Sequence, residues 1–223
     1  MRARLQQCIV AALAACAGAA ALPAQAQDAD LLVRHTIVSA SGDGIKRTTE
    51  FSERVVRRQD QVWIERIVPP GWHVDHEHAT GDKAHKHLDV AVAARWLVRD
   101  KAGKPALRLA SAQDKVLVDV TPPDYANVGF DGSWTAAYHL IDPASLKKLK
   151  ASGTAGDLTT YTSKEKDRSL KVVWNDRLQY PVLVESSNGP SSRRTVVQAQ
   201  PTGASPWDAT RGYQRKDYSD YLD

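Results

Sequence analysis

The stretch TTEFSERVVRRQDQVWIERIV, Thr48 to Val68, decides the fold. Apolar and polar residues alternate along both of its halves, which is the pattern of half-buried β-strands. The two halves meet at Gln59-Asp60, and Pro69-Pro70-Gly71 ends the second. Since a two-residue connection joins antiparallel strands, the sequence predicts a β-hairpin over Thr48–Val68.

The same alternation, broken by turn residues, recurs along most of the chain. Eight further segments follow it: Leu31–Ala40, Asp89–Asp100, Ala106–Ala110, Lys115–Val120, Asp157–Thr162, Ser169–Asn175, Pro181–Ser187 and Arg193–Ala199. Only Asp142–Gly153 has helix signals, with Asp142 as N-cap, Pro143 in the first turn and Gly153 as terminator. We predict a mostly β protein, a single curved antiparallel sheet or half-barrel with one short helix.

The first residues have the features of a secretory signal peptide. Arg2 and Arg4 precede the apolar run Cys8–Leu22, and Ala24–Ala26 supplies the small residues of a cleavage site. The apolar run is too short for a membrane span. We predict a signal peptide over 1–26, one β-rich periplasmic domain over 27–223 and no membrane-spanning segment. An alternative is lipid attachment at Cys16, because LAAC (Leu13–Cys16) has the pattern of a lipoprotein signal.

Composition and motifs exclude several classes of function. Both cysteines, Cys8 and Cys16, lie in the signal, so the mature chain has no disulfide and no thiolate. Its charges alternate in sign instead of clustering, which argues against nucleic-acid binding. The sequence contains no Gly-x-Ser-x-Gly, P-loop or dinucleotide fingerprint. We therefore predict a protein that is not an enzyme and has no organic cofactor.

The second half resembles a known family. Val172–Gln200 runs as a Trp-x-Asp strand, a turn, a Pro-containing strand and a Gly-containing turn, with Trp174, Asp176, Pro181 and Val182 at the characteristic positions. The tail has Pro206-Trp207 and Gly212-Tyr213. These features are similar to LolA/LolB-type periplasmic proteins, although Val182 stands where Leu is usual. The resemblance implies a half-barrel whose apolar concave face holds or senses lipid acyl chains. The family's lid helices have one short candidate, Pro143–Ala151.

A histidine-rich segment, HVDHEHATGDKAHKH (His73–His87), holds five of the seven histidines. With Gly81-Asp82 as a two-residue turn, the hairpin register pairs His78 with His85 and His76 with His87. Directly opposed side chains have Cβ atoms about 4.5–5.5 Å apart, which lets imidazoles converge on an ion. We predict a Cu(II) or Zn(II) site formed by His76, His78, His85 and His87. The alternative is a solvated tip whose protonation changes near pH 6.5.

The strand after the histidines indicates which way they point. An apolar stripe shares one parity: Leu88, Val90, Val92, Ala94, Trp96 and Val98. His85 and His87 have the other parity, so we expect the histidines to face away from the core. HVDHEH also resembles the signature of metallo-β-lactamase-type hydrolases, but Asp75 precedes the histidines instead of following them. Nor does an exposed hairpin supply the pocket that a zinc hydrolase needs.

Isolated histidines and tryptophans favour structural roles. His35 and His139 stand alone on strand-like segments, and Trp63 and Trp96 fall on the apolar faces of theirs. The leading hypothesis is a periplasmic metal-binding protein, in metal handling or as accessory to an exported metalloprotein. The alternative is an envelope lipid or lipoprotein carrier or sensor, with its apolar pocket near Trp63 and Trp96.

Overall fold

The computed structural model describes residues 28–69 and 88–221, in which twelve strands form one open, curved sheet. The predicted mostly β half-barrel is confirmed. The strands are β1 (Ala29–Ala40), β2 (Lys46–Arg58), β3 (Gln61–Ile67), β4 (Ala94–Arg99), β5 (Pro105–Ser111), β6 (Val116–Val120), β7 (Lys150–Ala155), β8 (Leu158–Glu165), β9 (Arg168–Asn175), β10 (Tyr180–Asn188), β11 (Ser191–Gln200) and β12 (Gln214–Asp217).

The sheet consists of two meanders joined side by side. Its order is β12-β6-β5-β4-β3-β2-β1-β11-β10-β9-β8-β7, so most neighbouring strands are also consecutive in the chain. The predicted hairpin of β2 and β3 is present, with Arg58 opposite Gln61. The meanders meet where β1 pairs antiparallel with β11. The sheet is not antiparallel throughout, because β12 pairs parallel with β6.

The helices differ from the prediction in number and length. α1 (Trp134–His139) begins at Ser133, whose side chain accepts a hydrogen bond from the Ala136 N–H. α2 (Pro143–Leu146) begins at Asp142 as predicted, but the chain enters β7 at Lys150 instead of continuing as helix to Ala151. The described part of the chain also has three 3-10 helices: Pro122–Val128, Pro206–Thr210 and Tyr218–Tyr221. No helix within 28–69 and 88–221 is long and apolar enough to cross a membrane.

The main core lies on one face of the sheet, which we call the inner face because α1, α2 and the first 3-10 helix pack on it. Strand residues there include Leu31, Val33, Val55, Leu97 and Leu109. Aromatic side chains from the helical segment pack on them: Tyr125, Phe130, Trp134 and Tyr138. The Trp-x-Asp strand β9 adds Trp174, which packs with Leu146 of α2.

A smaller core lies on the opposite, outer face, where the C-terminal segment crosses the sheet. Trp63 is buried there, as predicted, and Trp96 is opposite it on β4. Trp207 stacks on Trp96 with 6.3 Å between ring centres and 9° between ring planes. Trp63 and Trp96 pack with Trp207 on the outer face, and neither lines the inner-face cavity described below.

The segment before β4 corrects another expectation. Asp89 through Ala93 form a turn, in which the Asp89 carbonyl accepts hydrogen bonds from the N–H groups of Val92 and Ala93. The predicted strand over Asp89–Asp100 therefore starts only at Ala94, and the continuous apolar stripe from Leu88 does not exist. The predicted signal peptide (1–26), His76, His78, His85 and His87 lie outside the described residues. The single domain over 27–223 stays a prediction.

Candidate functional site at an inner-face cavity

A cavity of about 410 Å³ opens on the inner face, between the α1–α2 segment and the middle of the sheet. Its apolar lining comes from both sides: Val33, Ile64, Ala136, Ala137, Leu140, Ile141, Pro181 and Val184. Its polar lining is His35, Glu53, Ser186, Arg193 and Thr195. Its size falls in the range of about 300–1,000 Å³ typical of small-molecule sites, and a mostly apolar wall with few polar groups is also typical.

The cavity forms because the helical segment covers only part of the inner face. Along β1, inner-face positions change from the buried Leu31 and Val33 to His35. Leu31 and Val33 pack in the core, Val33 also lines the cavity, and His35 lines its polar part. Small side chains on α1, Ala136 and Ala137, leave space above the strands. The apolar part of the cavity therefore continues the core, and the polar part lies beyond it along the strands.

A hydrogen-bonded cluster forms the polar wall. His35 is 7% exposed, and its Nε2 lies 3.1 Å from Glu53 Oε2. Its Nδ1 lies 3.0 Å from Thr195 Oγ1. The second carboxylate oxygen of Glu53 accepts a hydrogen bond from Arg95 Nη2 at 3.2 Å. Since a carboxylate only accepts, His35 Nε2 carries a hydrogen and donates to Glu53.

The surroundings of Glu53 keep it ionised. Burial alone would raise the pKa of Glu53, but the His35 hydrogen bond and the positive charges of Arg95, His35 and Arg193 outweigh it and lower the pKa. The ion pair with Arg95 compensates the buried carboxylate. Glu53 is therefore charged, and its charge is compensated within the wall.

Arg193 extends the cluster toward solvent. It is exposed, and its Nη2 lies 3.5 Å from His35 Nδ1. The register places Arg193 opposite Ile37 on β1 and opposite Ser186 on β10, with its side chain lining the cavity. Its neighbour Arg194 faces the other side of the sheet, where it pairs with Glu185. Within 28–69 and 88–221, Arg193 forms no ion pair with a carboxylate.

Arg57 holds the helical segment over the sheet close to this cavity. Its side chain is fully buried and donates to the backbone oxygens of Tyr138, Leu178 and Gln179. Tyr138 belongs to α1, whereas Leu178 and Gln179 belong to the β9–β10 turn. One guanidinium therefore ties β2 to two segments of the inner face.

A second cavity, of the same volume, opens beside Asp30, Arg54 and Gly203. The carboxylate of Asp30 is 5% exposed. Arg58 Nη1 lies 2.7 Å from its Oδ1, and the Gly203 N–H donates to its Oδ2 at 3.1 Å. The carboxylate pairs with Arg58, but its Oδ1 has no hydrogen-bond partner among the described residues. We place the candidate site at the inner-face cavity because that cavity combines eight apolar residues with a hydrogen-bonded polar cluster.

The sequence prediction and the structure point to different sites. The predicted metal ligands lie outside the described residues, and the part of the chain that the structure describes contains no group of three or more residues suited to hold a metal ion. His35, expected to be structural, lines the cavity, whereas His139 bonds to the Gln179 carbonyl at 2.7 Å. Glu53 and Arg193 were missed. The alternation of side chains along β2 could have identified Glu53, because it places Glu53 on the same face as Val55.

Comparison with known proteins gives only distant likenesses. No protein-family model matches the chain, and no curated protein sequence matches it. Among solved structures it is similar to PNGF-II, with 9% sequence identity and a TM-score of 0.35. The match covers 86% of this chain and 32% of that chain. It is also similar to a DUF1329 family protein from Desulfovibrio piger, at 8% identity and a TM-score of 0.36, covering 82% of this chain and 89% of that one. Structural similarity at these TM-scores assigns no function.

Proposed function

We propose that this protein is a periplasmic, non-catalytic carrier or sensor of lipid, which holds an acyl chain in the inner-face cavity. The observation that carries the proposal is the cavity itself, with eight apolar residues lining it between the α1–α2 segment and the sheet. An apolar ligand is favoured there because its transfer from water buries apolar surface on both sides.

The polar groups of the wall have fixed positions beside the apolar ones. The polar groups of the wall are engaged with each other, since Glu53 accepts from both His35 and Arg95. Such a cluster keeps fixed positions, which suits recognition of a ligand. The hairpin that resembles LolA/LolB-type proteins forms β9 and β10, and it contributes Pro181 and Val184 to the cavity.

The proposal is tested with a neutral, polarity-sensitive probe, N-phenylnaphthylamine, and a neutral lipid competitor, monododecanoylglycerol. We expect probe fluorescence to rise on binding and to fall when the competitor displaces it. Ala137→Phe inserts a ring into the cavity, so affinity should fall by about tenfold or more, equivalent to about 1.4 kcal/mol. Thr135→Phe is the control, because Thr135 is exposed on the same helix.

The outcome against the proposal is equally specific. Wild-type protein that neither enhances probe fluorescence nor binds the glycerolipid would contradict it. So would an Ala137→Phe variant that binds as tightly as wild type while Thr135→Phe also remains unchanged, because the ligand would then lie elsewhere.

A further inference from the structure

We infer that the ligand of the inner-face cavity is a single-chain amphiphile with an anionic head group, whose anion is held by Arg193. This inference rests on the proposed function, because it assigns the head group of the molecule whose chain fills the cavity. It follows from the charges on the polar wall and from the position of Arg193 relative to them.

The charged groups of the polar wall are one carboxylate and two neighbouring guanidinium groups. Among the described residues that line the cavity, Glu53 is the one carboxylate, and it pairs with Arg95 at 3.2 Å. Its other oxygen accepts the His35 hydrogen bond at 3.1 Å. Arg95 pairs with Glu53, whereas Arg193 forms an ion pair with no carboxylate within 28–69 and 88–221. A cavity wall with net positive charge favours an anion.

The positive charge of Arg193 lies at the exposed end of the wall. Arg193 is exposed and lies on the same face as His35 and Thr195, whereas the apolar wall continues inward toward Val33. A ligand that follows this gradient places its apolar chain inside and its polar end beside Arg193. The guanidinium presents several N–H donors in one plane, a geometry that matches a carboxylate or a phosphate.

Two hydroxyl groups line the cavity beside Arg193. Ser186 stands opposite Arg193 on β10 and lines the cavity, and Thr195 lies two residues further along β11. The Ser186 hydroxyl supplies a hydrogen bond to an anion near the guanidinium, whereas the Thr195 hydroxyl donates to His35 Nδ1.

The experiment compares ligands that share one chain and differ in charge. Dodecyl phosphate and dodecanoate carry an anion, monododecanoylglycerol is neutral, and inorganic phosphate has no chain. Each competes with N-phenylnaphthylamine at low ionic strength, because salt screens exposed charges. We expect both anionic amphiphiles to bind about tenfold more tightly than the neutral one. One hydrogen bond between charged groups increases affinity by about this factor. Inorganic phosphate alone should compete weakly.

Two neighbouring arginines provide the matched variants. Arg193→Gln should remove the tenfold preference and leave neutral-lipid binding intact. Arg194→Gln should keep the preference, because Arg194 faces Glu185 on the other side of the sheet. Arg193→Lys should retain most of it, since the charge persists. Arg193 is exposed, so all three variants should unfold at the wild-type urea concentration.

Each contrary result has one meaning. Equal affinity for charged and neutral amphiphiles, or a preference that survives Arg193→Gln, overturns the anionic head group and leaves the acyl carrier in place. Inorganic phosphate that binds as tightly as dodecyl phosphate identifies a free anion as the ligand and overturns the amphiphile. Absence of binding by every chain-bearing ligand overturns both this inference and the proposed function.

Discussion

The guanidinium of Arg57 lies 4.9 Å from the centre of the Tyr138 ring and donates to the backbone oxygen of the same residue at 3.3 Å. This contact joins the sheet to the end of α1, next to the left-handed residue Leu140 that ends the helix. The same side chain bonds to the β9–β10 turn at Leu178 and Gln179. A single buried cation thus organises the end of the helical segment.

Replacing Arg57 with Leu should be strongly destabilising. The variant removes the Arg57 donor from the oxygens of Tyr138 and Leu178, at a cost of about 1–3 kcal/mol for each group that stays dry, whereas the Gln179 oxygen keeps its hydrogen bond to His139. We expect the free energy of unfolding to fall by about 3 kcal/mol, measured by urea denaturation. Arg47→Leu, at an exposed position of the same strand, should change it by less than about 0.5 kcal/mol. Equal effects of both substitutions would contradict the anchoring role of Arg57.

The Trp96–Trp207 stack should fix the C-terminal segment on the outer face. Trp207→Ala removes a partly buried ring and should destabilise the protein by about 2 kcal/mol, below the range for fully buried aromatics. Trp207→Phe keeps a ring against Trp96 and should recover at least half of that loss. Urea denaturation of the three proteins measures this. Wild-type stability of Trp207→Ala would show that the segment does not depend on the stack.

His139 should make stability depend on pH near neutrality. Burial lowers the pKa of His139 below its ordinary value of 6.5, against the hydrogen bond to the Gln179 carbonyl, which raises it. The unfolded chain therefore takes up this proton at higher pH than the folded chain. Stability is complete above pH 6.5 and falls as the pH drops from 6.5 through the folded pKa.

The measurement is the free energy of unfolding between pH 8 and pH 3. We expect His139→Gln to flatten the decline that begins near pH 6.5. Glu53 acts in a lower window with the same sign, because its pKa lies below the ordinary value of 4.5, and Glu53→Gln should flatten only that acid part. A His139→Gln profile parallel to wild type would refute the assignment.

The histidine segment keeps its own prediction, since His76, His78, His85 and His87 lie outside the described residues. We expect about one tight equivalent of Cu(II) or Zn(II) in a calorimetric titration, weakening as the pH falls through about 6.5 because protons compete for imidazole. The double change His78→Ala and His85→Ala should abolish that equivalent. His35→Ala and His139→Ala are the controls and should leave it unchanged. Unchanged binding by the double variant would place the metal elsewhere.

Most strands could be predicted because each is an alternating segment bounded by turn residues. The errors occur where local signals compete. Asp142 and Pro143 start a helix, but Gly153 lies inside β7 and does not cap a long helix, so Lys150–Gly153 was assigned wrongly. β12 was missed because its four residues are held by a parallel pairing with β6, almost a hundred residues earlier. Tertiary context decided both.

The cavity could not be predicted because its parts are distant in sequence. His35 and Thr195 become neighbours only through the β1–β11 pairing, which no local pattern specifies. Parity along β2 shows that Glu53 and Val55 share a face, but not which strand supplies Arg193. The family resemblance implied an apolar concave face and did not identify its polar wall.

The β1–β11 pairing also has a consequence for how the chain folds. All other antiparallel pairs join consecutive strands, so each meander can assemble from contacts close in sequence. The seam between them pairs Asp30 with Gln200 and can close only after the ends of a very long loop meet. Loop closure is entropically costly, and non-local pairings slow folding. We expect the seam to form last, so the cavity that spans β1 and β11 should be acquired in the final step.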